Sequence, residues 1–87
     1  DAVQHPDGNF TLLCDTILPD GHTNIYLAEL SPTGDFLSGK PFVSENNTSG
    51  TRLISPSPDV LLVAGNSQAG SLKKTVFLRV QRNPTKL

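Results

Sequence analysis

Alternating apolar and polar residues, interrupted by proline and glycine, predict that this chain is built from short β-strands. Residues 9–18 show the pattern on two faces: one carries Phe10, Leu12, Cys14 and Leu18, and the other carries Leu13 and Ile17. Because both faces carry apolar side chains, we expect this strand to lie inside a sandwich or a small barrel.

Five further segments have strand character: residues 24–30, 35–44, 51–55, 60–64 and 74–81. The run over 60–64 is entirely apolar and predicts the most buried strand. The last segment alternates, with Val76, Leu78 and Val80 facing inward. Pro41 follows a glycine within the third strand, and since proline cannot donate to a ladder, a bulge or an edge position is expected there.

Three turns separate the first strands: Pro6-Asp7-Gly8, Pro19-Asp20-Gly21 and Pro32-Thr33-Gly34. Proline sets the backbone for the second turn position, aspartate can close the turn through its side chain, and glycine accepts a positive φ. Such regular turns predict a meander. If Pro19-Asp20-Gly21 is a three-residue hairpin loop, Leu18 pairs with His22 and Cys14 lies opposite Tyr26.

The polar remainder predicts loops over residues 45–50 and 65–71, a loose N-terminal lead-in over 1–6, and a frayed tail over 83–87. The expected fold is one all-β domain over residues 1–87, a small antiparallel β-sandwich or partly open barrel of about six strands. The alternative is an α+β domain in which the loop after Gly65 contains a short helical turn.

Composition agrees with a small soluble β-domain, since 36 % of residues are hydrophobic, 17 % are charged, and seven glycines and seven prolines disfavour helices. The single cysteine excludes an internal disulfide. A start without methionine is expected for a mature secreted chain or a trimmed one. Three sequons, at Asn9, Asn46 and Asn47, add candidate glycosylation sites and favour secretion.

The net charge of −1 conceals a segregation along the chain. Residues 1–59 hold all eight acids and two bases, whereas residues 60–87 hold five bases and no acid. Either the last strand binds an anionic partner, or it lies beside an acidic strand and forms cross-strand ion pairs. The candidate partner-binding residues are Lys73, Lys74, Arg79 and Arg82 on the basic side, with Asn46 and Asn47 in the polar loop.

No residue pattern predicts catalysis, a metal or a cofactor. In the expected hairpin His22 lies far along the strands from Cys14, which leaves His5 as the one histidine that tertiary folding could bring to the thiol. Asp15 opposite Ile25 and Glu29 opposite Thr11 are too far apart for a carboxylate pair. The two histidines and scattered aspartates match no metal-ligand spacing.

Two resemblances to known folds bear on the architecture. The segment 7–40, with Gly-Asn-Phe-Thr-Leu-Leu, Asn-Ile-Tyr-Leu-Ala-Glu-Leu and Ser-Pro-Thr-Gly-Asp, resembles one blade of a β-propeller, which implies a meander. In size, expected secretion and strand number the chain is also similar to the MAX-type β-sandwich effectors of plant-pathogenic fungi. That resemblance implies a secreted, effector-like protein, although its members join their sheets by a disulfide that this chain cannot form.

The function that these observations favour is that of a small, secreted, non-enzymatic β-domain acting as a protein–protein interaction module, effector-like or part of an extracellular assembly. The partner is expected to be another protein or a second copy of the chain. One alternative is a binder of polyanions, a glycan or nucleic acid, through the basic last strand. Another is a fragment of a larger assembly or enzyme. Nucleic acid is disfavoured as partner because Phe77 is the one aromatic residue in the basic strand that could stack on a base. We expect no membrane partner, because no apolar run approaches the roughly 20 residues of a membrane span.

Overall fold

The computed structural model describes residues 1–82 and confirms the all-β prediction, with two antiparallel sheets packed as a small sandwich. Sheet A has the order β1-β2-β3-β4 and sheet B has the order β5-β6-β7. The strands are β1 (Ala2–Gln4), β2 (Phe10–Ile17), β3 (Thr23–Leu30), β4 (Phe36–Pro41), β5 (Asn47–Ser57), β6 (Val60–Ala69) and β7 (Leu72–Gln81). The predicted frayed tail over 83–87 lies outside the described residues.

Sheet A is the meander that the three turns predict. Gly8, Gly21 and Gly34 all have φ near 90°, a backbone conformation that glycine adopts without steric cost. The β2–β3 register is also confirmed, because Cys14 pairs with Tyr26 and the Leu18 N–H donates to the carbonyl of His22. The turn residues therefore set both the order and the register of this sheet.

The expected loose lead-in over residues 1–6 is wrong, because Ala2–Gln4 forms an edge strand that pairs with β2. The Asp1 carboxylate also accepts a hydrogen bond of 2.9 Å from the N–H of Leu53 in sheet B. His5 follows the strand and is buried. These long-range contacts, rather than local propensity, hold the segment in place and raise the number of strands from about six to seven.

Both predicted polar loops, over residues 45–50 and 65–71, are largely strand in sheet B, so these predictions are wrong. Residues 47–50 belong to β5, which continues through Pro56 to Ser57, and residues 65–69 belong to β6, so the second loop shrinks to the turn at Gly70 and Ser71. Small polar residues have weak strand propensity. β6 nevertheless pairs along its length with a neighbour on each side, and this pairing extends the strand past Gly65.

The core lies between the sheets and is made of aliphatic side chains from both: Leu13, Ile25, Leu27, Leu53, Leu61, Val63 and Val80. Close approach of the sheets depends on glycine at Gly50, where an added Cβ would lie 2.6 Å from a Leu13 methyl carbon. Leu13 is odd-numbered, so the odd-numbered residues of β2 and β3 face sheet B and the even-numbered residues face outward.

Strand β4 is an edge strand, as the position of Pro41 predicts, and it pairs only with β3 within the described residues. The irregularity in its pairing occurs opposite Glu29 and Leu30, where the partners change from Ser38 to Phe36. The bulge is therefore nearer the start of the strand than Gly39-Lys40-Pro41.

Candidate functional site

The most concentrated polar chemistry is a buried cluster between the two sheets, formed by His5, Asp7, Thr11, Glu29 and Arg82. Four of these residues, all except Asp7, are buried, and Thr11 and Glu29 are fully inaccessible to solvent. Thr11 and Glu29 are opposite each other on β2 and β3 and point toward sheet B. Arg82 immediately follows β7, so the cluster joins the centre of one sheet to the end of the other.

Arg82 makes the densest set of contacts in this cluster. Its Nε and one terminal nitrogen donate to the two Glu29 oxygens over 3.3 and 2.6 Å, and that terminal nitrogen also reaches Asp7 at 3.0 Å. The other terminal nitrogen donates to the carbonyl of Pro58 at 3.0 Å. Burial lowers the pKa of Arg82, but the bonds to Glu29 and Asp7 outweigh this effect and the pKa is raised.

His5 is held neutral at the far end of the cluster. The Thr11 hydroxyl donates to Glu29 over 2.9 Å, so it accepts from His5 Nε2–H over 2.7 Å, and this assignment leaves His5 Nδ1 unprotonated. Nδ1 is buried and has no hydrogen-bond partner within residues 1–82. Burial and the nearby charge of Arg82 lower the pKa of His5, and the carboxylates of Glu29 and Asp7 offset part of that effect.

The cluster is a structural clasp that joins the two sheets. Glu29 accepts from Thr11, Asn9 and two nitrogens of Arg82, which occupies the roughly four acceptor sites of a carboxylate. With its acceptor sites filled and its surface inaccessible to solvent, Glu29 is committed to contacts within the fold. The sequence places Glu29 opposite Thr11 correctly, but only the tertiary structure brings Arg82 to it.

A cysteine–histidine pair does not form. Cys14 is even-numbered and faces outward from sheet A, whereas His5 contacts Thr11 on the face toward sheet B, so the sheet itself separates the two side chains. Asp15 pairs with Ile25 as expected and is bound by the Ser49 hydroxyl at 2.9 Å and the Gly50 N–H at 3.0 Å. Among residues 1–82, no group of three His, Cys, Asp or Glu side chains is placed to hold a metal ion.

The structure separates the four basic candidates into two groups. Lys73, Lys74 and Arg79 are exposed on β7, and no ion pair involves them in the part of the chain that the structure describes. Arg82 is only 3 % exposed and is committed to the clasp, so its assignment to a binding surface is corrected. The expected pairing of β7 with an acidic strand is also wrong, because its neighbour β6 contains no acid.

The three candidate glycosylation sites have different environments. Asn46 is exposed. Asn47 is exposed too, but its carboxamide oxygen accepts a 2.9 Å hydrogen bond from the Thr23 N–H. Asn9 is half-buried, and its Nδ2, the atom that would carry a glycan, donates to Glu29 at 3.3 Å. Asn46 is therefore the sequon whose geometry best suits modification.

Two open grooves, each with a volume of about 420 Å³, flank the start of β5. The polar groove is lined by Thr23, Asn47, Asn66, Gln68 and Lys73, among others. The apolar groove lies between the end of sheet A and β7, and its lining includes Ile25, Phe42, Val43, Val76 and Leu78. Both grooves are open to solvent and lie beside β6 and β7.

His22 ties the β2–β3 turn to the segment after β4. Its Nδ1 contacts the Asp20 carboxylate and its Nε2 faces the carbonyl of Ser44 at 3.0 Å. Because both partners are acceptors, the protonated ring with two N–H groups satisfies both contacts. The hydrogen bond to Asp20 raises the pKa of His22 accordingly, and bonds from the backbone and side chain of His22 lower the pKa of Asp20.

Comparison with known proteins finds no family model, no curated protein and no solved structure that matches the chain. No helix in residues 1–82 is long and apolar enough to cross a membrane. The fold is a small β-sandwich of a four-stranded and a three-stranded sheet.

Proposed function

We propose that this chain is a non-enzymatic protein-interaction module that packs the outer face of sheet A against a β-sheet of its partner. The observation that carries the proposal is the apolar character of that face. Six of the eight outward residues of the two central strands are apolar, and Thr16 and Asn24 are the two polar ones. The apolar six are Phe10, Leu12 and Cys14 from β2, and Tyr26, Ala28 and Leu30 from β3.

This outer face takes no part in the core. The core cluster draws Leu13, Ile25 and Leu27 from sheet A, all of them odd-numbered, and none of the outward residues. The sequence predicts apolar residues on both faces of β2, and sheet B covers one of them. Of the six apolar residues on the outer face, Ala28 is buried and the other five are half-buried. Burying their remaining apolar surface would stabilise a complex by roughly 25 cal/mol per Å², which favours association.

The shape of sheet A supports a sheet as the partner. Its four antiparallel strands form the meander that the resemblance to a propeller blade implies, and in that architecture successive sheets pack face to face. A flat row of apolar side chains is complementary to another sheet at a spacing of about 10 Å. The partner sheet would belong to another protein or to another part of a larger assembly.

We propose in addition that this interaction module is secreted and has an effector-like role. The exposed sequon at Asn46 supports passage through a secretory pathway, since that asparagine is accessible to modification. A glycan at Asn46 would lie on the segment that joins the two sheets, next to the start of β5.

A capture experiment with matched variants tests the proposal. Immobilised wild-type protein is compared with Leu12→Glu, which puts a charge on the outer face, and with Ile17→Glu, a control at an exposed apolar position on the opposite face of β2. We expect a partner from a native extract to be retained by the wild type and the control but lost by Leu12→Glu. Equal retention by all three would contradict the proposal.

Cys14 gives a second, independent measurement because its thiol belongs to the outer face. Bound partner should slow modification of Cys14 by a soluble thiol reagent, since a sheet packed over the face excludes the reagent. An unchanged modification rate at saturating partner would place the contact elsewhere on the molecule. Circular dichroism of Leu12→Glu separates loss of binding from loss of fold.

Polyanion binding through β7 is a second candidate function. Lys73, Lys74 and Arg79 on this strand are exposed, and none forms an ion pair within residues 1–82. Cations on a strand without acids attract sulfated or phosphorylated polymers, and such binding weakens steeply with salt. Heparin retention should fall for Lys73→Glu with Lys74→Glu, and remain for Lys40→Glu on the acidic sheet. Retention by the double variant equal to that of wild type would contradict this function.

A further inference from the structure

The two sheets are built to the same plan, but sheet B is one strand shorter. Each begins with a strand that enters a turn containing Pro-Asp, at Pro6-Asp7 in sheet A and Pro58-Asp59 in sheet B, and continues as a long hairpin. Sheet A then adds β4 to the far side of β3. Within residues 1–82 nothing pairs with the far side of β7, which corresponds to β3.

The turn before β7 determines which of its backbone groups face this open edge. Gly70 has φ of 61° and forms a two-residue turn with Ser71, closed by the pair Ala69 and Leu72. The residues that close such a hairpin are hydrogen-bonded to each other, and the pairing then alternates along the strand. The residues whose N–H and C=O groups point away from β6 are therefore Lys73, Thr75, Phe77, Arg79 and Gln81.

The side chains of β7 would offer an added strand two different surfaces, an apolar groove on one side and exposed bases on the other. Val76 and Leu78 line the apolar groove together with Phe42 and Val43 from the end of sheet A. The odd-numbered residues lie on the outer side, where Lys73, Thr75 and Arg79 are exposed together with the ring of Phe77. A strand paired with β7 would place alternate side chains in the groove and on the basic outer surface.

The geometry points to an extended segment of a partner protein, with carboxylates alternating with apolar side chains, bound as the fourth strand of sheet B. Charge complementarity selects this partner, because β6 and β7 contain three exposed bases and no acid. Backbone hydrogen bonds would supply affinity and the alternating pockets would supply specificity. This site on β7 is separate from the outer face of sheet A. The experiments on the two surfaces can therefore give independent results.

A peptide titration tests the proposal directly. The probe is a ten-residue, terminally blocked peptide alternating valine and glutamate, added to uniformly ¹⁵N-labelled protein. We expect saturable amide shifts along β7 and the groove, with slower hydrogen exchange at Thr75 and Phe77. A peptide alternating valine and lysine should bind about tenfold more weakly, because like charges face each other across the strands. Absence of binding at millimolar valine–glutamate peptide overturns the proposal.

Two variants locate the contact. Thr75→Pro removes an N–H that points to the open edge and none that bonds to β6, so binding should be lost while the fold is kept, and Thr75→Ala is its control. Lys73→Glu with Arg79→Glu leaves the backbone unchanged and should reverse the preference toward the valine–lysine peptide. If Thr75→Pro unfolds, the charge reversal decides alone: an unchanged preference would contradict strand addition at β7.

Discussion

Arg82 and Glu29 lie 53 residues apart in the chain and are joined in the interior by hydrogen bonds of 2.6 and 3.3 Å. Each residue is needed by the other, because a buried charge without its partner is strongly unfavourable. The pair holds the end of β7 against the centre of sheet A. Removal of the pair should therefore destabilise the packing of both sheets.

Arg82→Met should destabilise the fold by about 3–5 kcal/mol, because Glu29 is left buried and unpaired. The measurement is the free energy of unfolding from urea denaturation at pH 7. The double variant Glu29→Leu with Arg82→Met removes both charges and should cost less than the sum of the single variants. Strict additivity would show that the two residues do not interact.

The two histidines should give opposite pH dependences of stability. Burial lowers the pKa of His5 in the folded state, so its contribution is complete above the unfolded pKa of 6.5 and is lost as the pH falls below it. The raised pKa of His22 means that its contribution is present below pH 6.5 and is lost as the pH rises through the folded pKa.

Urea midpoints measured from pH 5 to pH 8 separate these effects. In His22→Gln only the His5 effect remains, so stability should fall more steeply on acidification than in the wild type. His5→Asn should show the reverse trend, with stability falling as the pH rises. A flat profile for both variants would argue that neither histidine changes its proton affinity on folding.

Thr48 should have a structural role in addition to its place in the Asn46 sequon. Its hydroxyl accepts from the Ile25 N–H at 3.0 Å and donates to the Asn24 carboxamide at 3.4 Å, which links β5 to β3. Thr48→Val should cost about 1–3 kcal/mol because the buried Ile25 N–H loses its acceptor. Thr48→Ser should retain most of the stability, as thermal unfolding would show. Because changing Thr48 would also alter stability, glycosylation at Asn46 is better tested with the substitution Asn46→Gln.

Gly65→Ala should destabilise the fold by roughly 1–3 kcal/mol through overpacking. The added Cβ would collide with the backbone carbonyl oxygen of Ser49 and lie 3.2 Å from the Ile25 Cδ1. Gly39→Ala is the matched comparison, because its Cβ would meet the hydroxyl end of Tyr26, a side chain that can rotate aside. The unfolding free energy of Gly39→Ala should change less than that of Gly65→Ala.

The sequence predicts the turns of sheet A and the pairing of the strands beside them, because both depend on residues close together in the chain. The Pro19-Asp20-Gly21 turn fixes the β2–β3 register because turn geometry determines which residues pair. Residues 65–69 are misjudged because their small polar side chains indicate a loop, whereas the strands on both sides of β6 extend it. Ala2–Gln4 is missed for a related reason, since its stability comes from β2 and from the Asp1–Leu53 contact.

The candidate surfaces are likewise predicted from the sequence only in part. Alternation along β2 and β7 predicts which side chains share a face, and the charge segregation predicts a basic strand. The sequence groups Arg82 with the other bases because it contains no signal that separates a buried guanidinium from an exposed one. Only the approach of Glu29, Asp7 and Pro58 in the folded chain makes that distinction.

The position of Arg82 also sets an order of events during synthesis. Every strand of sheet A is made before Arg82, and its hairpins are local enough to close early. At about 5–20 residues per second, the ribosome adds Arg82 several seconds after Glu29. Until then the Glu29 carboxylate lacks its guanidinium partner, and burying it unpaired would be strongly unfavourable. Burial of Glu29 between the sheets therefore depends on residues made after the whole of sheet A.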